Sequence, residues 1–138
     1  MYLEHANVTV TNLEKAVHFL TVAFPDFVIR GQGSSDSTHW MHLGNQTTYI
    51  AFQQNFQVTP AQDEQYTSNG INHLGFVVDN IAQIESNLIA AGYHKDPMST
   101  QEQYRKRSYF YDGNNVEWEF IEYLVDQDTL RNKYEDRA

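Results

Sequence analysis

The sequence contains no cysteine, and lysine and arginine together account for only 9 of its 138 residues. The absence of cysteine excludes disulfide bonds and thiolate metal ligands together. Because aspartate and glutamate number 18, the formal net charge is −9, which argues against nonspecific binding to nucleic acid or to anionic membranes. There is also no apolar run long enough to span a bilayer. The start lacks a basic segment followed by an apolar one, so we expect a cytoplasmic protein.

Apolar residues, by contrast, are plentiful enough to build a core. Hydrophobic residues make up 41% of the chain and aromatic residues 14%, which excludes a disordered protein. A length of 138 residues is typical of one domain. We therefore expect a single globular domain.

The first half of the sequence predicts a strand, a helix and three more strands. Polar and apolar residues alternate over residues 3–10, which is typical of a strand with one buried face. Asn12 is a typical helix N-cap, and apolar residues at helical spacing follow until Pro25. The glycine-containing segment 31–35 predicts a turn. The three further strands are expected at residues 27–30, 38–43 and 48–53.

The second half repeats this pattern. A constant offset of 68 positions (73 − 5) pairs His5 with His73 and also pairs Asn12 with Asn80, so strand matches strand and helix cap matches helix cap. We interpret residues 1–138 as one domain made of two modules. Its parts are a first βαβββ module at 1–56, a polar connector at 57–69, a second βαβββ module at 70–124 and a tail at 125–138 with Leu130 and Tyr134 at helical spacing.

Side-chain parity separates a polar face from an apolar face in these strands. Apolar residues such as Phe52 and Trp118 share the faces expected to pack under the two helices. The opposite faces carry polar groups, which include His5, His73, Glu117 and Glu119. Two curved sheets that turned these faces toward each other would enclose a cleft containing two histidines and a carboxylate.

This arrangement resembles the vicinal oxygen chelate superfamily, which includes glyoxalase I, extradiol dioxygenases and bleomycin-resistance proteins. The resemblance is carried by the paired βαβββ halves, by a histidine in the first strand of each, and by the segment Glu-Trp-Glu-Phe-Ile-Glu-Tyr at 117–123. It implies an α+β fold in which two tandem βαβββ modules form curved mixed sheets around a central cleft. It also implies a divalent metal held by His5, His73 and Glu119, with Glu117 as the alternative acid. Members commonly dimerise, so a homodimer is one alternative for the oligomeric state of this chain.

One position departs from the superfamily pattern. The same offset carries Glu119 back to Ala51, so the fourth ligand of the isomerase-type site is missing, and Gln53 is only a speculative substitute. The two histidines and one carboxylate that remain suit non-haem Fe(II), as in the extradiol dioxygenases that the chain resembles. Mn, Ni, Co or Zn would fit the same ligands.

The resemblance favours a metal-dependent enzyme, dioxygenase-like or of the glyoxalase lyase or isomerase type, which chelates two adjacent oxygens of a small substrate. Glu117 is the candidate general base. The candidate substrate-binding residues are Tyr49, Gln53, Arg107 and Tyr109; a charged strand edge is the competing interpretation of Arg107. For the other histidines, His18, His39, His42 and His94, we prefer hydrogen-bonded surface or core positions. The alternative function is a metal-free drug-binding protein of the bleomycin-resistance type, which Ala51 favours and the paired histidines oppose.

Overall fold

The computed structural model describes residues 1–59, 65–131 and 133, which form two compact units. The first unit contains the described residues up to Gly70 together with residues 112–115. The second contains residues 71–111 and the described residues from Val116 onward. Within the described part of the chain, no helix is long and apolar enough to cross a membrane.

The first unit is built from a strand, a helix and three strands. Its elements are β1 (His5–Thr9), α1 (Leu13–Ala23), β2 (Val28–Ser34), β3 (Thr38–Gly44) and β4 (Tyr49–Asn55). The strand order across the sheet is β1-β4-β3-β2, in which β1 and β4 are parallel and the other neighbours antiparallel. The first and last strands of the unit are therefore hydrogen-bonded to each other.

The second unit has the same organisation. Its elements are β5 (His73–Val77), α2 (Ile81–Ala90), β6 (Thr100–Gln101), β7 (Arg105–Tyr111) and β8 (Glu117–Tyr123), and α3 (Asp128–Arg131) follows. The order β5-β8-β7-β6, with β5 and β8 parallel, matches the first sheet. The predicted fold of two βαβββ modules with mixed sheets is therefore confirmed. Residues 60–64 of the predicted connector and Tyr134 of the predicted tail lie outside the described residues.

Both long helices begin at an asparagine cap, as the sequence predicts. The Asn12 side chain accepts a hydrogen bond from the backbone N–H of Lys15, and the Asn80 side chain accepts one from Gln83, each at 3.0 Å. These bonds satisfy backbone donors that have no partner within the helix. Each helix then buries an apolar stripe, and the side chains that become fully inaccessible are Ala16, Phe19, Leu20 and Leu88.

Strand β2 is longer than the sequence predicts, because the glycines of segment 31–35 do not form a turn. The strand continues to Ser34 and pairs with β3, where Trp40 lies opposite Gly33. A Cβ atom on Gly33 would lie 2.6 Å from the indole nitrogen of Trp40. Glycine is therefore required here for the close approach of an aromatic ring.

Residues 112–115 follow β7 in the chain and group with the first unit. The Asn114 side-chain oxygen accepts a hydrogen bond from the backbone N–H of Asn12, and its amide nitrogen donates to the Asn12 carbonyl, both at 2.8 Å. Asn115 has a φ of 63°, in the left-handed region that asparagine tolerates better than most residues. Residues 112–115 therefore reverse the chain, and Asn114 also hydrogen-bonds to the backbone of Asn12, the N-cap of α1.

Candidate functional site

In the second unit, His73 lies between two carboxylates. The parallel pairing of β5 with β8 places His73 opposite Glu117 and Gly75 opposite Glu119. The imidazole Nε2 is 3.0 Å from Glu119 Oε2, and Nδ1 is 3.7 Å from Glu117 Oε2. The carboxylates are 1% and 7% exposed, whereas 31% of the histidine side chain remains accessible. Two buried acids therefore converge on one partly accessible imidazole.

Two tyrosines on β7 hold these carboxylates from the neighbouring strand. Tyr109 pairs with Glu119 and Tyr111 with Glu117 in the antiparallel register. The Tyr109 hydroxyl donates a hydrogen bond of 2.7 Å to Glu119 Oε1. Burial, and then this bond to a carboxylate, raises the pKa of Tyr109 to about 12. Burial and the Glu117 carboxylate also raise the pKa of Tyr111. Each acid therefore faces a phenol that stays neutral at ordinary pH.

The polar face continues along β7 into a pair of arginines. Arg105 and Arg107 share the carboxylate of Glu102; the Arg105 Nε–Glu102 Oε2 distance is 2.9 Å, and Arg107 donates to the other oxygen. Burial acts to raise the pKa of Glu102, but the two guanidinium groups outweigh it and hold the pKa below its ordinary value. Nε of Arg107 is buried and has no hydrogen-bond partner among the described residues. The two guanidinium groups therefore share one carboxylate at this end of the face.

The polar face of the first unit carries aromatic rings instead of acids. The imidazole of His5 stacks on Tyr49 with ring centroids 4.7 Å apart, and the ring centroid of His42 lies 4.9 Å from that of the same tyrosine. Trp40 follows at 5.1 Å from His42, and the Arg30 guanidinium lies 4.4 Å from the centre of the Tyr49 ring. The four rings form a continuous row, which we call the aromatic row.

A cavity of about 360 Å³ adjoins the aromatic row. Its lining residues are Asn7, Trp40, His42, Ala51, Phe52 and Gln53. Ala51 is the position where the repeat would place the counterpart of Glu119, and its small side chain leaves this space open. The missing acid of the first unit thus coincides with a cavity.

Two of the three predicted metal ligands, His73 and Glu119, come together in the second unit. His5 belongs to the first unit, where its Nδ1 lies 3.2 Å from Glu4. Among residues 1–59, 65–131 and 133, no group of three or more histidine, aspartate or glutamate side chains is arranged to hold a metal ion. The full set of His5, His73 and Glu119 therefore stays a prediction.

The predicted substrate-binding residues divide between the two units. Tyr49 lies in the aromatic row and Gln53 lines the cavity, while Arg107 and Tyr109 belong to the polar face of the second unit. Sequence reasoning did not select the following residues of these two faces: Trp40, His42, Glu102 and Arg105. The alternation of Trp40 and His42 along β3 was a usable signal, because it puts both on one face.

Tyr109→Phe should reduce the loss of stability at alkaline pH. The folded-state pKa of about 12 exceeds the ordinary value of 10.0, so folding favours the neutral phenol. The stability that Tyr109 contributes is therefore complete below pH 10 and is lost as the pH rises towards 12. We expect the free energy of unfolding of metal-free protein, measured in urea, to fall less steeply above pH 10 in Tyr109→Phe than in wild type. Tyr2→Phe, at a 78% exposed position, should keep the wild-type slope; equal slopes in all three proteins would contradict this assignment.

No protein-family model and no curated protein sequence matches the chain. Solved structures do match. A glyoxylase/bleomycin resistance protein/dioxygenase domain from a Frankia species superposes with a TM-score of 0.77 at 20% identity, covering 92% of this chain and 95% of that one. The fosfomycin resistance protein FosX from Listeria monocytogenes, complexed with Mn(II) and sulfate, gives 0.70 at 18% identity, covering 96% and 98%. TnmS3, an antibiotic binding protein from a Streptomyces species, gives 0.66 at 15% identity, covering 89% and 96%.

These similarities concern the fold, since identities of 15% to 20% are too low to carry function across. They extend over nearly the whole of each chain. The protein therefore has the fold of glyoxalase, bleomycin-resistance and dioxygenase domains, as the arrangement of its strands and histidines predicted.

Proposed function

We propose that the protein is a divalent-metal-dependent enzyme acting on a small substrate through two adjacent oxygens. The observation that carries the proposal is the contact of 3.0 Å between His73 Nε2 and Glu119 Oε2. The second Glu119 oxygen is fixed by Tyr109, so the carboxylate presents one defined oxygen beside the imidazole nitrogen. Complexes of FosX with Mn(II) support the capacity of this fold to hold such an ion.

The donor atoms fit a metal ion. Imidazole nitrogens and carboxylate oxygens bind divalent metals at about 2.0–2.2 Å, so two donors at a right angle around one ion lie about 3 Å apart. The observed separation of 3.0 Å is compatible with such a neighbouring pair, and it is also the length of a direct hydrogen bond between the two side chains. The hydrogen bond from Tyr109 is the kind of outer contact that orients a ligating carboxylate.

His73 and Glu119 would hold the ion, and His5 is the third ligand that the resemblance implies. When bound, such an ion acts as a Lewis acid toward the substrate oxygens; iron would in addition bring in dioxygen chemistry. Manganese, nickel, cobalt, zinc and iron all accept this donor set.

Glu117 is our candidate for the general base. It is 1% exposed, and its oxygen lies 3.7 Å from His73 Nδ1, beyond an ordinary hydrogen bond. Its carboxylate therefore lies close to the metal-binding pair. A base must lie beside the reacting centre to take a proton from the substrate, and the position of Glu117 beside His73 supports this role.

Arg107 and Tyr109 would orient the substrate. Both lie on one face of β7, where Tyr109 pairs with Glu119. They are two positions apart, which is about 7 Å along the strand. The guanidinium group of Arg107 would complement a negatively polarised group of the substrate. These residues would bind and position, while Glu117 moves the proton.

Elemental analysis of tag-free protein purified without chelators tests the proposal. After exposure to each of the five divalent metals and dialysis, wild type should retain about one equivalent of at least one of them, which His73→Ala and Glu119→Gln should lose. Tyr109→Phe should weaken binding about tenfold, because it removes only the orienting hydrogen bond. His5→Ala tests the third ligand. Glu117→Gln should keep the metal if Glu117 is the base and lose it if Glu117 is the ligand.

His94→Ala is the matched control, since His94 is exposed and lies outside both polar faces. Retention of metal by His73→Ala and Glu119→Gln at the wild-type level would refute the proposal. Absence of metal from every sample would do the same, and would leave the metal-free drug-binding protein as the function to pursue.

A further inference from the structure

The first unit carries an arginine that lies over a tyrosine ring and is not paired with an acid. The guanidinium carbon of Arg30 is 4.4 Å from the centre of the Tyr49 ring, and His5 stacks on the same ring at 4.7 Å. Within the part of the chain that the structure describes, no carboxylate forms an ion pair with Arg30. Its positive charge is therefore not neutralised by a described side chain in direct contact.

A β-bulge in β2 accompanies this placement of Arg30. The register with β3 shifts between Ile29 and Gly31, so Arg30 is an extra residue with no direct partner on β3. Bulges often re-aim a side chain next to a functional site. The residue opposite His42 is Gly31, which has no side chain to occupy the space over β3. The long Arg30 side chain thus reaches across β3 to Tyr49 on β4.

Stacking on a ring leaves the hydrogen-bonding edge of the guanidinium available. The group is planar and its five N–H donors lie in that plane, whereas a stacked ring contacts only its face. Among residues 1–59, 65–131 and 133, no side chain or carbonyl accepts a hydrogen bond from Arg30. Arg30 is exposed, so a ligand can reach it, and Tyr49 is 9% exposed and forms a fixed support. A donor group held in place in this way loses little entropy when it binds.

Two arginines of the second unit are already paired with carboxylates. Arg107 shares Glu102 with a second arginine. Arg131 also lies over a tyrosine ring, but it pairs with Asp126 at 3.7 Å. A guanidinium beside a carboxylate can still orient a polarised oxygen, yet it attracts a full negative charge less strongly because the two charges offset each other. Arg30 is therefore better suited than Arg107 or Arg131 to bind an anion.

We infer that Arg30 binds an anionic group of the carboxylate or phosphate type on a small ligand, beside His5 and Tyr49. Both kinds of group present two oxygens that match the guanidinium fork, so two parallel hydrogen bonds can form. The formal net charge of −9 repels anions in general, and binding at this site would reflect the local arrangement. The nearest acid in contact with His5 is Glu4, which is 58% exposed, so solvent and salt weaken its repulsion.

The site adds a feature to the class of substrate. Such a substrate carries an anionic group in addition to the two adjacent oxygens that bind the metal. The identification of the ligand as the substrate rests on the proposed function, since His5 is the ligand that the resemblance implies for the metal. Anion binding by Arg30 does not itself require a metal. It is therefore tested on metal-free protein, where failure of the metal site has no influence on the result.

Nitrogen-15 NMR of the arginine Nε–H groups tests the site in protein that has been treated with EDTA and dialysed. Sodium phosphate is titrated at constant ionic strength, balanced with sodium chloride, and the Arg30 signal is assigned by its loss in Arg30→Lys. We expect a saturable shift with a dissociation constant on the order of 10 mM, because a single guanidinium binds a free anion weakly. Arg131 is the internal control: it also lies over a tyrosine but is paired with Asp126, so its signal should not move.

Three variants separate the fork from the charge, with binding followed at the backbone amide of Gly31. Arg30→Met should abolish phosphate binding, and the exposed position makes the substitution compatible with folding. Arg30→Lys keeps the charge without the planar fork, so it should bind about threefold more weakly than wild type or worse. Lys106→Met is the matched control, because it removes the same charge from the second unit, where Lys106 lies 3.9 Å from Glu122. It should bind phosphate as wild type does.

Sodium acetate, titrated in the same way, distinguishes the two sources of the anionic group. Tighter binding of phosphate identifies a phosphate-type group, and tighter binding of acetate identifies a carboxylate. The inference is overturned if neither anion gives a saturable shift of Arg30, if Arg131 shifts to the same extent, or if Arg30→Met binds phosphate as wild type does.

Discussion

The parallel pairing of the first and last strands in each unit is the constraint on which the polar faces of both sheets depend. A parallel pair cannot be closed by a tight turn, and here a helix and two further strands separate β1 from β4 and β5 from β8. The register of that pairing then decides which side chains meet. It sets His5 beside Tyr49 and His73 beside Glu117. A shift of one residue would turn every functional side chain of a strand to the opposite face.

Equivalent backbones carry different chemistry in the two units. In the second unit the polar face buries two carboxylates around His73 and satisfies them with phenols from β7. Burial of acids at this depth is costly unless charge or hydrogen bonds compensate it, which explains the concentration of donors there. In the first unit Ala51 stands in place of an acid, and aromatic rings occupy the surrounding positions. The two units share one strand order, whereas the side chains at matched positions differ.

The sequence predicted the features that depend on local patterns. Alternation identified the strands, the asparagines at 12 and 80 identified the helix starts, and the pairing of His5 with His73 identified the repeat. Alternation follows from the geometry of an extended backbone, and the asparagine caps follow from the unpaired backbone N–H groups at a helix start. They also led to the correct fold, since the resemblance depended on the arrangement of whole elements.

Features that depend on contacts across strands were not predicted. Segment 31–35 has the composition of a turn, yet it continues β2 because Trp40 needs glycine opposite it, a requirement that is invisible without the β2–β3 register. His42 was assigned to an ordinary hydrogen-bonded position for the same reason. Glu102 lies outside any predicted strand, so its role between two arginines also could not be inferred. The candidate acids were identified because they lie on a single strand, whereas the residues that surround them come from its neighbours.

The central claim is that His73 Nε2 and Glu119 form one side of a divalent-metal site. Nitrogen-15 NMR of protein with labelled histidine imidazoles, titrated with Zn(II), tests it most directly, because a metal bond changes the chemical shift of the ligating nitrogen itself. The account predicts that Nε2 of His73, assigned through His73→Ala, shifts first and saturates at about one equivalent, while His94 is unaffected. Shifts confined to exposed histidines, or no change at His73 when zinc is in excess, would contradict it.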